Sequence, residues 1–113
     1  MPYVSIEIGK QLEDSLKSRI YAALAEAITV IPGKTPQNTM VNIKDGQSFY
    51  MDGKAQECAF CEVRLYKEAP FDRKELLVEK YSDILSDMAG IELRRMYFNI
   101  IELDNWGSAG EFR

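Results

Sequence analysis

The same three-part pattern occurs twice along this chain, and that repeat constrains the fold more than any other feature. Pro2 to Ile8 alternates Tyr3, Ser5 and Glu7 with Val4, Ile6 and Ile8, the period of a strand. Apolar residues then recur at steps of three and four: Leu12, Leu16, Ile20, Ala23, Leu24, Ala27, Ile28 and Ile31. Pro32-Gly33 stops that helix, and Thr39 to Lys44 predicts a second strand. Residues 46–56 read as a loop with a short strand at Phe49 to Met51.

The order then begins again. Cys58 to Tyr66 is β-prone. Asp72 predicts a helix cap, with Glu75 completing a variant capping box. Leu77, Tyr81, Ile84, Leu85 and Met88 form an apolar stripe that ends at Gly90, and Arg95 to Leu103 predicts the fourth long strand. Val-Asn-Ile at 41–43 and Phe-Asn-Ile at 98–100 occupy matching places. Strands joined through a helix pair in parallel, with a right-handed crossover. Two such units give an α+β fold: a four-stranded sheet with two helices on one face. Its other face bears Tyr, Phe and Ile and should not stay in water, so oligomerisation is expected. The 113 residues suit a single domain over 1–113, without a linker.

Composition removes whole classes of chemistry. There is no histidine, which excludes a His-based triad and a His-ligated zinc or haem site. With 14 basic and 18 acidic side chains the net charge is −4, unsuited to the nucleic-acid backbone. No apolar run is long enough to span a membrane. The first residues lack the basic and long apolar regions of a signal peptide, so the expected address is the cytoplasm.

A few residues could carry chemistry. Removal of the initiator Met before a small residue would leave Pro2 as a free secondary amine. An α-amino group has a reference pKa near 7.7–8.0, and burial lowers it. Such an amine can accept a proton near neutral pH. Lys34 follows the first helix stop and offers a point charge for a carboxylate. Arg64 shares a strand face with Glu62 and Tyr66, either paired at a subunit interface or facing an anion. Tyr97 and Asn99 share one face of the last strand, where an interface or a solvated surface is the plain reading. Trp106 reads as packing. Cys58 and Cys61 form a C-x-x-C on a strand, where residues three apart point to opposite faces, so a redox pair is disfavoured.

In order, these residues resemble the tautomerase superfamily, and within it the macrophage migration inhibitory factor-like family. The carriers are Met1-Pro2 opening a strand, Gly33-Lys34 with Pro36-Gln37, Cys58-Ala-Phe-Cys61, Arg95-Met-Tyr97-Phe-Asn99, Asn105-Trp106-Gly107 and Phe112. The resemblance implies a homotrimer with active sites between subunits, no metal and no cofactor. It implies an isomerase, a keto–enol tautomerase of small 2-keto acids such as phenylpyruvate, with Pro2 as general acid and base. By position, Lys34 would bind the substrate carboxylate. Tyr66 would line that end, with Arg64 or Lys67 sharing the charge. Tyr97 and Asn99 would come from the neighbouring subunit. Two other functions are compatible: a cytokine-like binding trimer, for which the family has members exported without a leader, and a decarboxylase or dehalogenase of small acids. The chain departs from the family where Tyr66-Lys67 replaces Ile-Gly, where Asn38 replaces an aromatic residue and where the tail is shortened at Ser108 to Glu111. These departures point away from phenylpyruvate itself as the natural substrate.

Overall fold

The computed structural model describes all residues from Met1 to Arg113. The strands and helices are β1 (Pro2–Ile8), α1 (Asp14–Ala27), β2 (Met40–Lys44), β3 (Tyr50–Met51), β4 (Lys54–Ala55), β5 (Ala59–Tyr66), α2 (Phe71–Ala89), β6 (Met96–Leu103), β7 (Gly107–Ser108) and β8 (Glu111–Phe112). Short 3₁₀ turns at 28–30, 36–38 and 93–95 join them.

The main sheet has the order β2-β1-β5-β6. β1 and β2 are parallel, β5 and β6 are parallel, and the central β1–β5 pair is antiparallel. The expected β-α-β units are therefore present, side by side and head to tail. Their registers match: Tyr3 pairs with Met40 as Phe60 pairs with Tyr97, and Asn42 faces Ser5 as Asn99 faces Glu62. An approximate twofold axis thus passes between β1 and β5.

The period-two residues select the buried face. Val4, Ile6, Ile8, Cys61, Val63 and Leu65 point under the helices and are fully buried or nearly so. They meet Ile20, Leu24 and Ile28 from the first helical segment and Leu77, Tyr81 and Leu85 from α2 in one core. At the helix–helix contact the buried Tyr81 hydroxyl donates to the Leu24 carbonyl at 3.0 Å. The opposite sheet face stays uncovered, with Met40, Tyr97, Ile101 and Leu103 exposed.

Three local expectations change. Asp72 does not cap α2, which starts one residue earlier with Pro70 at the cap position and no side-chain cap. The Pro70 carbonyl accepts from the Arg73 and Lys74 amides, so Asp72 falls inside the first turn. The first helix tightens into 3₁₀ geometry at Ile28 instead of continuing to Ile31. Within residues 46–56 a hairpin forms: Tyr50 pairs with Ala55 and Met51 with Lys54. Asp52 and Gly53 both take positive φ, the requirement of a type I′ turn. No helix is long and apolar enough to cross a membrane.

Candidate active site

Pro2 opens β1 as a buried residue opposite Leu65, so the start of the chain lies in the sheet beside the end of β5. Lys34 arrives from the loop after α1, where its amide donates to the Ile31 carbonyl at 3.1 Å. Its ammonium group reaches across and donates to the Tyr66 carbonyl at 3.2 Å. Chain start, Lys34 and Tyr66 therefore converge at one end of the sheet. The Tyr66 carbonyl accepts one hydrogen of the Lys34 ammonium and aims the group, and the amine at the chain start engages a second, which leaves one free.

The electrostatics of this end act on the amine. Partial burial first, then the Lys34 charge and a hydrogen bond from Lys34, hold the Met1 amine down from its ordinary 8.0 to about 6. All three causes disfavour a second cation at this place. Beside the amine is a cleft of about 580 Å³, lined by Met1, Pro2, Asn38, Met40 and Trp106 among others.

Trp106 is thus more than packing: it walls the cleft, with its ring 6.5 Å from that of Tyr66 and tilted by 47°. The signal that could have found it was its place beside Gly107, where the β7–β8 hairpin folds the tail back. The Lys67 ammonium lies 5.2 Å from the Tyr66 ring centre. Arg64 is engaged within the chain: it pairs with Glu62 at 2.7 Å and lies over the Tyr3 ring at 5.7 Å.

Tyr97 and Asn99 are not brought to this end. Tyr97 faces Phe60 near the start of β5, while Pro2 faces Leu65 near its end. Five strand residues separate the two places, about 16 Å. Both side chains lie on the uncovered face and are exposed. The two cysteines are free and buried. Burial pushes the Cys61 thiol up to about 12. Cys58 lines a cleft together with Phe60, and Cys61 sits in the helix-covered core, as strand alternation expects. No group of three or more Cys, Asp or Glu side chains is placed to hold a metal ion.

No family model matches the chain, and no curated protein matches it in sequence. Solved structures do match. Leishmania major MIF2 superimposes with a TM-score of 0.92 at 18% identity, covering 100% of this chain and 97% of that one. The macrophage migration inhibitory factor-like protein of Entamoeba histolytica gives 0.88 at 21% identity, covering 99% and 98%. Pt0534, solved after inactivation by 2-oxo-3-pentynoate, gives 0.85 at 16% identity, covering 96% and 93%. The chain has the fold of macrophage migration inhibitory factor-like and tautomerase-superfamily proteins.

Proposed function

We propose that the chain, once Met1 is removed, is a cofactor-independent keto–enol tautomerase of small 2-keto acids, working as a homotrimer. The observation that carries this reading is the convergence of the chain start with Lys34, where burial and then the Lys34 charge hold the Met1 amine down to about 6. A neutral Pro2 amine would take a proton from the carbon beside the keto group. The electron pair of the broken C–H bond would form the C=C bond, and the keto oxygen would become the enolate oxygen. Transfer of the same proton from the prolinium to that oxygen gives the enol and restores the neutral amine. A general base of this kind contributes ~10²–10⁴-fold.

The free hydrogen of the Lys34 ammonium would hold the substrate carboxylate, aimed by the Tyr66 carbonyl. Tyr97 and Asn99 would close the site from a neighbouring subunit, which gives their exposure and their distance from Pro2 a purpose. Two facts about proteins of the same fold support the reading. One is inactivated by 2-oxo-3-pentynoate, a 2-keto acid carrying an alkyne that an amine can attack. A fused 4-OT of this fold is described as a trimer.

The test is the interconversion of phenylpyruvate enol and keto forms by protein whose N-terminus is defined by mass spectrometry. Protein starting at Pro2 should turn over, and Pro2→Gly should lose most of the rate. Equal rates would remove Pro2 from the mechanism. A second reading rests on Met1 lining the cleft: a chain that keeps it carries an amide at Pro2 and would be a binding trimer without the Pro2 base.

A further inference from the structure

Proton transfer by Pro2 needs Met1 removed, yet the chain that keeps it places a different group in the same cleft. The terminal nitrogen is then a primary amine on Met1, which is half-buried and lines the cleft with Asn38, Met40 and Trp106. No acidic side chain lines that space, so no carboxylate stands there to hold the amine as a cation. The charge that acts on it has the same sign. It is the Lys34 ammonium, itself tied to the Tyr66 carbonyl at 3.2 Å.

Desolvation and a neighbouring cation together are the conditions that activate an amine for attack on carbonyl carbon. Here burial leads and Lys34 follows, and the amine falls to about 6. Its nitrogen carries two hydrogens where a Pro2 amine carries one. Only a primary amine can give up both to water and form a neutral imine. The cleft of about 580 Å³ beside it has room for a small carbonyl compound.

We propose that the chain beginning at Met1 captures small 2-keto acids covalently, as an imine between the Met1 nitrogen and the keto carbon, with the carboxylate on Lys34. The proposal rests on the reading of this cleft as a 2-keto acid site. The amine lone pair leaves the Lys34 hydrogen and forms the N–C bond. The π pair of the C=O bond moves to oxygen, which takes one proton from nitrogen to give the carbinolamine. The nitrogen lone pair then closes the C=N bond as the hydroxyl departs, and the second nitrogen proton leaves with it as water. No oxidation or reduction occurs, and hydrolysis reverses the capture. The Lys34 hydrogen that the amine had engaged becomes available to the substrate's oxygens. Methionine removal thus selects between two chemistries at one place: reversible capture before trimming, proton transfer after it.

Sodium cyanoborohydride reduces an imine to a stable secondary amine, so capture of pyruvate is read as a mass gain and located by peptide mapping. The protein used is the full chain released from a fusion directly before Met1. At about pH 7 the label should fall on Met1, about tenfold faster in the folded chain than in urea, the ratio of neutral amine for values near 6 and 8. Lys34→Met should slow capture of pyruvate about tenfold or more, and capture of acetone less, because acetone has no carboxylate to hold. Circular dichroism checks that the variant folds, and Lys34→Gln serves if it does not.

Equal labelling of Met1 in the folded and unfolded chains, label on lysines in place of Met1, or an undiminished preference for pyruvate in the folded Lys34 variant would each overturn the proposal. Phenylpyruvate turnover by protein starting at Pro2 is a separate measurement. Turnover without capture overturns this proposal alone, and capture without turnover overturns the tautomerase reading alone.

Discussion

The Lys34 ammonium donates to the Tyr66 carbonyl at 3.2 Å, which binds the loop after α1 to the last residue of β5. Burial first, and then the positive charge that this bond holds against the start of the chain, depress the Met1 amine to about 6. A base works only when neutral. A Pro2 amine in the same place is subject to both effects, so turnover by protein starting at Pro2 should rise with pH through an inflection below 8. Lys34→Met should move that inflection up only part of the way, since burial remains, and also raise KM, because the carboxylate loses its cation. A pH profile of kcat/KM on both proteins checks this. An inflection that does not move would separate Lys34 from the amine.

The same shift has a consequence for stability. The folded chain with its Met1 amine binds fewer protons than the unfolded chain between about pH 6 and 8. Stability from this group should therefore increase as pH rises across that window. Urea unfolding at pH 6 and pH 8 measures it, and Lys34→Met should flatten the difference.

Tyr66 is the aromatic neighbour of Trp106, which walls the cleft, and the Lys67 ammonium lies 5.2 Å from the Tyr66 ring centre. In the proposed mechanism these rings would narrow the carboxylate end. Tyr66→Gly should raise the kcat/KM ratio of phenylpyruvate to pyruvate by about tenfold or more, the scale of steric discrimination in an apolar pocket. It should also cost roughly 0.5–1 kcal/mol as a glycine in a strand. An unchanged ratio would place the ring outside the substrate's path.

Tyr81→Phe removes the buried hydroxyl bonded to the Leu24 carbonyl. That carbonyl also accepts from the Ile28 amide, so it is not left orphaned. The loss should be that of a typical net hydrogen bond, about 0.5–1.5 kcal/mol, read from denaturant unfolding.

Cys61 should resist alkylation in the folded protein at pH 8, since its thiol stays protonated well above that pH. Labelling should require unfolding. Fast reaction of Cys61 in the native state would contradict its burial in the core.

The large elements were legible because each has one period and one buried face. The strand alternation of Val4, Ile6 and Ile8 and the stripe of Leu77, Tyr81 and Leu85 both survive in the core. The internal repeat gave the parallel pairs, and with them the separation of Tyr97 from Pro2. Asp72 misled because a cap depends on where the backbone turns, and Pro70 set that point first. Trp106 was harder to place: it walls a cleft whose other residues come from distant parts of the chain, and its position beside Gly107 was the one local sign of it.

Pro2 sits within the sheet, opposite Leu65, and not on a loose tail. Whatever is attached to its nitrogen is carried into the cleft. An affinity tag, a fusion partner or an unprocessed methionine would leave the fold intact and silence the proposed chemistry of Pro2. The aminopeptidase that trims the chain would then decide, molecule by molecule, whether the same gene product works as an enzyme or only as a binding protein.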